Sequence, residues 1–171
     1  AVLHGVTLHH LLSILDERRV HSEVAVLAAS FIGPMQVAGR LVMVAVEKHV
    51  SHHGIAASTF VLMGFSILLL MAAGTVPTLL VIFVILFGGS YGIVSIIRPV
   101  IARDLLGQAG FGTKSGALAL LYLCGSASAP FAGALVWQTG GYDLVLPLLL
   151  GLAAAGLGLY LMANRLADRN P

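Results

Sequence analysis

The sequence predicts an all-α protein that crosses a membrane several times. Apolar residues make up 58% of its 171 residues and charged residues only 9%, whereas soluble domains average about 25% charged residues. The mean hydropathy is +1.00. The apolar residues also form runs long enough to cross a bilayer. A backbone surrounded by lipid must satisfy its own hydrogen bonds, and helices do so within one segment.

Charged, glycine-containing and proline-containing breaks divide the chain into six apolar segments. The first segment, residues 1–15, would be about 22 Å long as a helix, which is short of the roughly 30 Å hydrocarbon core. We therefore expect it to be a truncated span. The other five have the length of tilted spanning helices and comprise residues 24–46, 55–73, 78–101, 115–137 and 144–162.

Basic residues predict the orientation of these spans. Only Arg18 and Arg19 lie in a connector on one side of the predicted membrane. The remaining bases lie in or next to the connectors and the tail on the other side: Arg40, Lys48, Arg98, Arg103, Lys114, Arg165 and Arg169. Since cytoplasmic loops carry the excess of Lys and Arg, we expect the C-terminus to be cytoplasmic. We expect the membrane to be the bacterial inner (plasma) membrane.

Composition and motifs argue against several classes of function. The net charge is only +2 and the bases are scattered, so nucleic acid is not an expected partner. The chain has no glycine-rich phosphate loop, no helical His-Glu-x-x-His motif and no nucleophile elbow. We therefore expect no enzyme activity, no cofactor and no metal. His49, His52 and His53 are spaced like metal ligands, but we interpret them as part of a solvated loop.

Arg40 is the most informative single residue. It lies within the second segment, where an ionisable side chain costs on the order of 3 kcal/mol or more unless it faces a partner, a cavity or a substrate. Gly33, Gln36 and Arg40 share one helix face, and a guanidinium binds carboxylates through a planar set of donors. The alternative is that Arg40 extends to the cytoplasmic interface as a structural cation.

Other residues within the segments have structural or titratable character. Small residues recur in the fifth segment at Gly125, Ala129 and Gly133, a spacing that predicts close helix packing. The sixth segment contains a similar stripe, residues 151, 155 and 158. His4 lies deeper in the first segment than the other histidines there, with Thr7 about one turn away. In a cavity, its imidazole could titrate near neutral pH.

Several stretches of the chain carry a family resemblance. They are residues 8–15; Gly39-Arg40-Leu41 with Glu47-Lys48; residues 88–92 with 103–107 and 111–112; and residues 126–133 with 140–142. These resemble the seventh, eighth, tenth and eleventh helices of the major facilitator superfamily. The resemblance implies a six-helix C-terminal half, residues 1–171, built from two inverted three-helix repeats, with the N-terminal half absent. Residues 37–42 and 131–136 share four identities that fit such a repeat.

Within that superfamily, the chain is most similar to the branch of monocarboxylate porters and oxalate:formate antiporters. Arg40 matches the eighth-helix arginine that binds the substrate carboxylate there. The acid of the proton-coupled members is replaced by Gln36, which argues against proton coupling through that position. The antiporter's eleventh-helix lysine has no counterpart, because residues 115–137 contain no cation.

The resemblance also implies that the tenth helix lines a central cavity. Tyr91, Ser95 and Arg98 lie on one stripe of the corresponding segment. We expect Tyr91 and Ser95 to line the cavity. Arg98 lies close to Arg103, so we interpret it as a positive-inside anchor at the interface.

The expected function is secondary active transport of a small solute, an organic anion such as a monocarboxylate, by alternating access. The expected partners are the solute, the lipid bilayer and the missing N-terminal half, which transport would require. Three alternatives remain: drug or metabolite efflux with Arg40 structural, an intramembrane metal-dependent enzyme using the histidines, and a truncated protein that does not transport. The predicted substrate-binding residues are Arg40, Gln36, Tyr91, Ser95 and His4.

Overall fold

The computed structural model describes residues 1–74, 76–108 and 110–167. Arg169, one of the bases used to predict the orientation, lies outside this part of the chain. Within the described residues the chain is helical and contains no strand. Its helices are α1 (Val2–Glu17), α2 (Ser22–Val46), α3 (His52–Ala72), α4 (Pro77–Leu106) and α5 (Phe111–Ala167). The predicted all-α class is confirmed for these residues, and α2 to α5 are each long and apolar enough to span a membrane.

The fifth and sixth predicted segments are the two arms of α5. An elbow at Gly140 and Gly141 divides them, and Gly141 has a φ of +63°, a left-handed conformation that favours glycine. We call residues 111–139 the first arm and residues 142–167 the second arm. The six predicted segments therefore correspond to α1–α4 and the two arms of α5.

Helix α4 extends five residues beyond the predicted end of its apolar segment. Arg103 and Asp104 are polar but compatible with a helix, so the apolar pattern ends before the helix does. The helix stops at Gly107, whose φ is +69°. Lys114 Nζ donates a hydrogen bond to the carbonyl oxygen of Leu106 at 2.8 Å, which satisfies one of the free carbonyls at the helix end.

Helix α4 is the centre of the bundle and meets α2 at glycines. Half of its apolar window is buried, compared with 17% in α2. A Cβ atom added to Gly92 would overlap the backbone carbonyl of Gln36, and one added to Gly39 would overlap the carbonyl of Gly89. These glycines therefore let the two helix backbones touch, which is how small residues favour helix association in membranes.

Helix α1 packs on the first arm of α5 through the predicted small-residue stripe. A Cβ atom added to Gly5 would lie 2.6 Å from the Ala129 Cβ, and one added to Gly133 would lie 2.8 Å from Val6. The predicted packing role of this stripe is confirmed. The second predicted stripe is wrong within the described residues: nothing lies within 4 Å of a Cβ built on residue 151 or 158. There, Gly156 instead admits the Phe60 ring.

Polar contacts join the end of α1 to the elbow of α5. Arg18 Nη2 donates to Asp143 Oδ1 at 2.6 Å. Glu17 accepts hydrogen bonds from the Trp137 indole nitrogen and from the backbone nitrogen of Tyr142, both at 3.3 Å. We call these five residues the elbow cluster. It holds this end of the bundle together through charge-assisted hydrogen bonds.

Candidate ligand cavity

A cavity of about 480 Å³ lies at the end of the bundle opposite the elbow cluster. It is lined by the N-terminal turn of α1, the N-terminal half of α3, the C-terminal half of α4 and both arms of α5. Consecutive helices run in opposite directions, so these parts come together at one end. The walls are mainly apolar and include Leu3, Ala56, Met63, Val94, Ile97 and Leu152.

Arg98 is the only charged side chain among the described residues that line this cavity. Its guanidinium carbon lies 3.8 Å from the centroid of the Tyr122 ring. This is cation–π geometry, which contributes roughly 0.5–2 kcal/mol depending on solvation. No aspartate or glutamate within the described part of the chain lines the cavity. The guanidinium therefore has an aromatic neighbour there but no carboxylate.

Two tyrosines bring a hydroxyl pair to the same wall. The hydroxyl oxygens of Tyr91 and Tyr122 lie 2.9 Å apart, and either can donate to the other. One hydrogen bond uses one of the two hydroxyl hydrogens. The pair therefore keeps one hydroxyl hydrogen for a further acceptor.

His4 forms a stacked wall with Tyr91. The two rings are nearly parallel, with an interplanar angle of 2° and centroids 3.4 Å apart. The centroids of the His4 and Phe87 rings lie 4.9 Å apart. Only 7% of His4 is exposed. Its Nδ1 atom has no hydrogen-bond partner among the described residues. The structure thus brings together two of the predicted site residues, His4 and Tyr91, at one cavity.

The other predicted site residues lie outside the cavity lining. Arg40 is exposed and makes no ion pair or side-chain hydrogen bond within the described residues. Helix α2 packs on α4 through Gly39, and neighbouring residues on a helix point about 100° apart, so Arg40 is turned away from that contact. Gln36 contributes its backbone to the same crossing. Ser95 donates its hydroxyl to the Gly92 carbonyl of its own helix at 2.6 Å.

Arg98 and Tyr122 line the cavity but are not among the predicted substrate-binding residues. Their contact joins α4 to the first arm of α5, across 24 positions of the chain, so no local pattern reveals it. The available signal is that Arg98 follows Tyr91 by two helical turns on the same face. The basic pattern predicts an interfacial anchor at Arg98, whereas its side chain lies against the cavity.

The histidines after α2 make separate contacts. His52 Nδ1 lies 3.4 Å from an Asp104 carboxylate oxygen, and His53 Nδ1 lies 2.8 Å from the Tyr160 hydroxyl. His49 is exposed. Across the residues that the structure describes, no three His, Cys, Asp or Glu side chains come together as metal ligands would.

No family model, curated protein or solved structure matches this chain. The resemblance to the major facilitator superfamily therefore depends on the sequence stretches alone.

Proposed function

We propose that this chain binds a small organic anion within the membrane, as part of a secondary transporter that works by alternating access. The observation that supports this most is the cavity of about 480 Å³, whose mainly apolar walls carry one charged side chain, Arg98. Ligand sites of roughly 300–1,000 Å³ with few polar groups are typical for small molecules. One cation in an apolar wall favours a solute with an apolar body and one negative charge.

The environment of Arg98 leaves it available for an anion. Tyr122 covers one face of the guanidinium, while the N–H groups at its edge remain the natural donors to a carboxylate. Arg98 is exposed, so a solute in the cavity can reach its guanidinium. A bound carboxylate would supply the countercharge that the described lining residues lack.

The two ends of the bundle suit a site that opens to one side. The cavity lies at one end, while the elbow cluster joins α1 to α5 at the other. Alternating access requires a binding site that opens to one side at a time. The positive-inside pattern predicts that the cavity end lies at the cytoplasm, so we propose that solute reaches the site from that side. The resemblance to the major facilitator superfamily implies that transport also uses an opposing six-helix half.

Uptake measurements test this function. In cells that express the natural gene product, we expect saturable uptake of radiolabelled monocarboxylates such as benzoate. Arg98→Ala is expected to reduce uptake at least about ten-fold, because it removes a charge-assisted contact with the anion. Arg103→Ala is the matched control, since it removes the same charge five residues along the same helix without touching the cavity. Its uptake is expected to stay within about two-fold of the unaltered protein.

Uptake no higher than in cells without the protein, for every carboxylate, would contradict the proposal. Export of neutral or cationic dyes that is unaffected by Arg98→Ala would favour drug or metabolite efflux instead.

A further inference from the structure

We infer that the ligand of this cavity is an aromatic monocarboxylate without an amino group, of the benzoate or phenylacetate type. This inference rests on the proposed anion-binding function and narrows its substrate class. Three properties of the cavity support it: the aromatic walls, the charge of its lining and its size.

Aromatic side chains make up an unusual share of the walls. Phe60 and Tyr160 lie with ring centroids 5.9 Å apart and an interplanar angle of 25°. In the same lining, His4 and Tyr91 form a parallel stack, and Tyr122 lies under the guanidinium. A flat aromatic ligand gains stacked or edge-to-face contacts with such walls beyond the contribution of its buried area. A flexible aliphatic ligand does not.

The charge of the lining selects against an ammonium group. Arg98 provides a cationic side chain, and no acidic side chain lines the cavity within the described residues. An aromatic amino acid would place its ammonium in an apolar wall without a carboxylate to pair with, which is strongly unfavourable. A dicarboxylate would likewise bring a second carboxylate, and the described lining residues offer no second cationic side chain for it. A single negative charge fits best.

The size and the donors of the cavity fit an acid larger than acetate. Cavities in the range of roughly 300–1,000 Å³ accommodate drug-sized ligands, and this one measures about 480 Å³. A two-carbon or three-carbon acid would leave most of the walls without contact. The Tyr91–Tyr122 pair has one hydroxyl hydrogen left for a further acceptor, and the ring of Tyr122 lies against the Arg98 guanidinium. This hydroxyl provides a second donor for the carboxylate beside the guanidinium.

Calorimetric binding to the purified natural gene product in lipid nanodiscs tests this inference. The probes are benzoate, cyclohexanecarboxylate, acetate, phenylalanine and benzyl alcohol, which together vary the ring type, the size, the ammonium group and the charge. We expect benzoate to bind about five-fold more tightly than cyclohexanecarboxylate, because only benzoate offers a π face. Phenylalanine and benzyl alcohol are expected to bind at least about ten-fold more weakly than benzoate.

The outcomes separate this inference from the function on which it rests. If cyclohexanecarboxylate or acetate binds as tightly as benzoate, and Arg98→Ala weakens that binding, the aromatic preference is wrong but anion binding stands. If phenylalanine binds as tightly as benzoate, the selection against ammonium is wrong. If no carboxylate binds the unaltered gene product, both the inference and the proposed anion site fail. The ligand series on the unaltered gene product gives these answers even if a variant does not fold.

Discussion

Replacing Gly92 by alanine is expected to destabilise the bundle by forcing apart two helices whose backbones touch. The added Cβ would overlap the backbone carbonyl of Gln36 on α2. A backbone carbonyl within a helix cannot move away as a flexible side chain can, so α2 and α4 must separate. Overpacking of this kind typically costs about 1–3 kcal/mol and occasionally more.

Thermal denaturation of the detergent-solubilised chain measures this effect. We expect the midpoint to fall by about 5 °C or more for Gly92→Ala. Gly151→Ala is the matched control, because Gly151 is exposed within a helix and nothing lies within 4 Å of the position that its new methyl group would take. That change should leave the midpoint unaltered or raise it slightly, since alanine favours helix by up to about 1 kcal/mol over glycine. Equal midpoints for Gly92→Ala and the unaltered chain would show that α2 and α4 do not cross at these glycines.

Replacing Arg98 by alanine is expected to abolish most of the affinity for carboxylates, whereas replacing Arg40 is not. Arg98 lines the cavity and lies over Tyr122, while Arg40 lies on α2 away from the α4 contact and outside the cavity lining. We expect Arg98→Ala to weaken benzoate binding at least about ten-fold, which corresponds to about 1.4 kcal/mol. Arg40→Ala should change it by less than about two-fold.

Binding to the purified natural gene product in nanodiscs distinguishes the two arginines. Arg98→Lys should give an intermediate affinity, because lysine keeps the charge but loses the planar set of donors and the stacking on Tyr122. The opposite result would be a large loss of benzoate affinity with Arg40→Ala and a small loss with Arg98→Ala. It would indicate that the anion site lies on α2, as the sequence alone predicts. It would also contradict the assignment of the cavity as the binding site.

Much of the helical architecture could be predicted from composition and segment length. Apolar runs of spanning length located α2, α3, α4 and both arms of α5, because a backbone in lipid has few alternatives to a helix. The end of α4 was less predictable. Its last turn carries Arg103 and Asp104, and hydropathy cannot distinguish a polar helical turn from a loop.

The site was harder to predict, because it depends on how the helices are rotated. The position of Arg40 as an isolated charge in an apolar run predicts a substrate-binding role. However, the close contact of Gly39 with Gly89 turns Arg40 away from α4. The partner of Arg98 is Tyr122, on another helix. Such contacts follow from the packing of backbones at glycines, and a hydropathy pattern does not contain that information. Only His4 and Tyr91 of the predicted residues reach the cavity lining.

Protection of a cavity thiol by benzoate tests most directly whether the Arg98 cavity binds carboxylates. The native Cys124 is exposed, so it is first replaced by serine, and Val94→Cys then places a thiol in the cavity lining. His49→Cys, in the exposed connector after α2, is the control. We expect benzoate to slow labelling of the cavity thiol by a water-soluble thiosulfonate, to leave the control unaffected, and to lose this effect with Arg98→Ala. Labelling of the cavity thiol at the same rate with and without saturating benzoate would contradict a carboxylate site in this cavity.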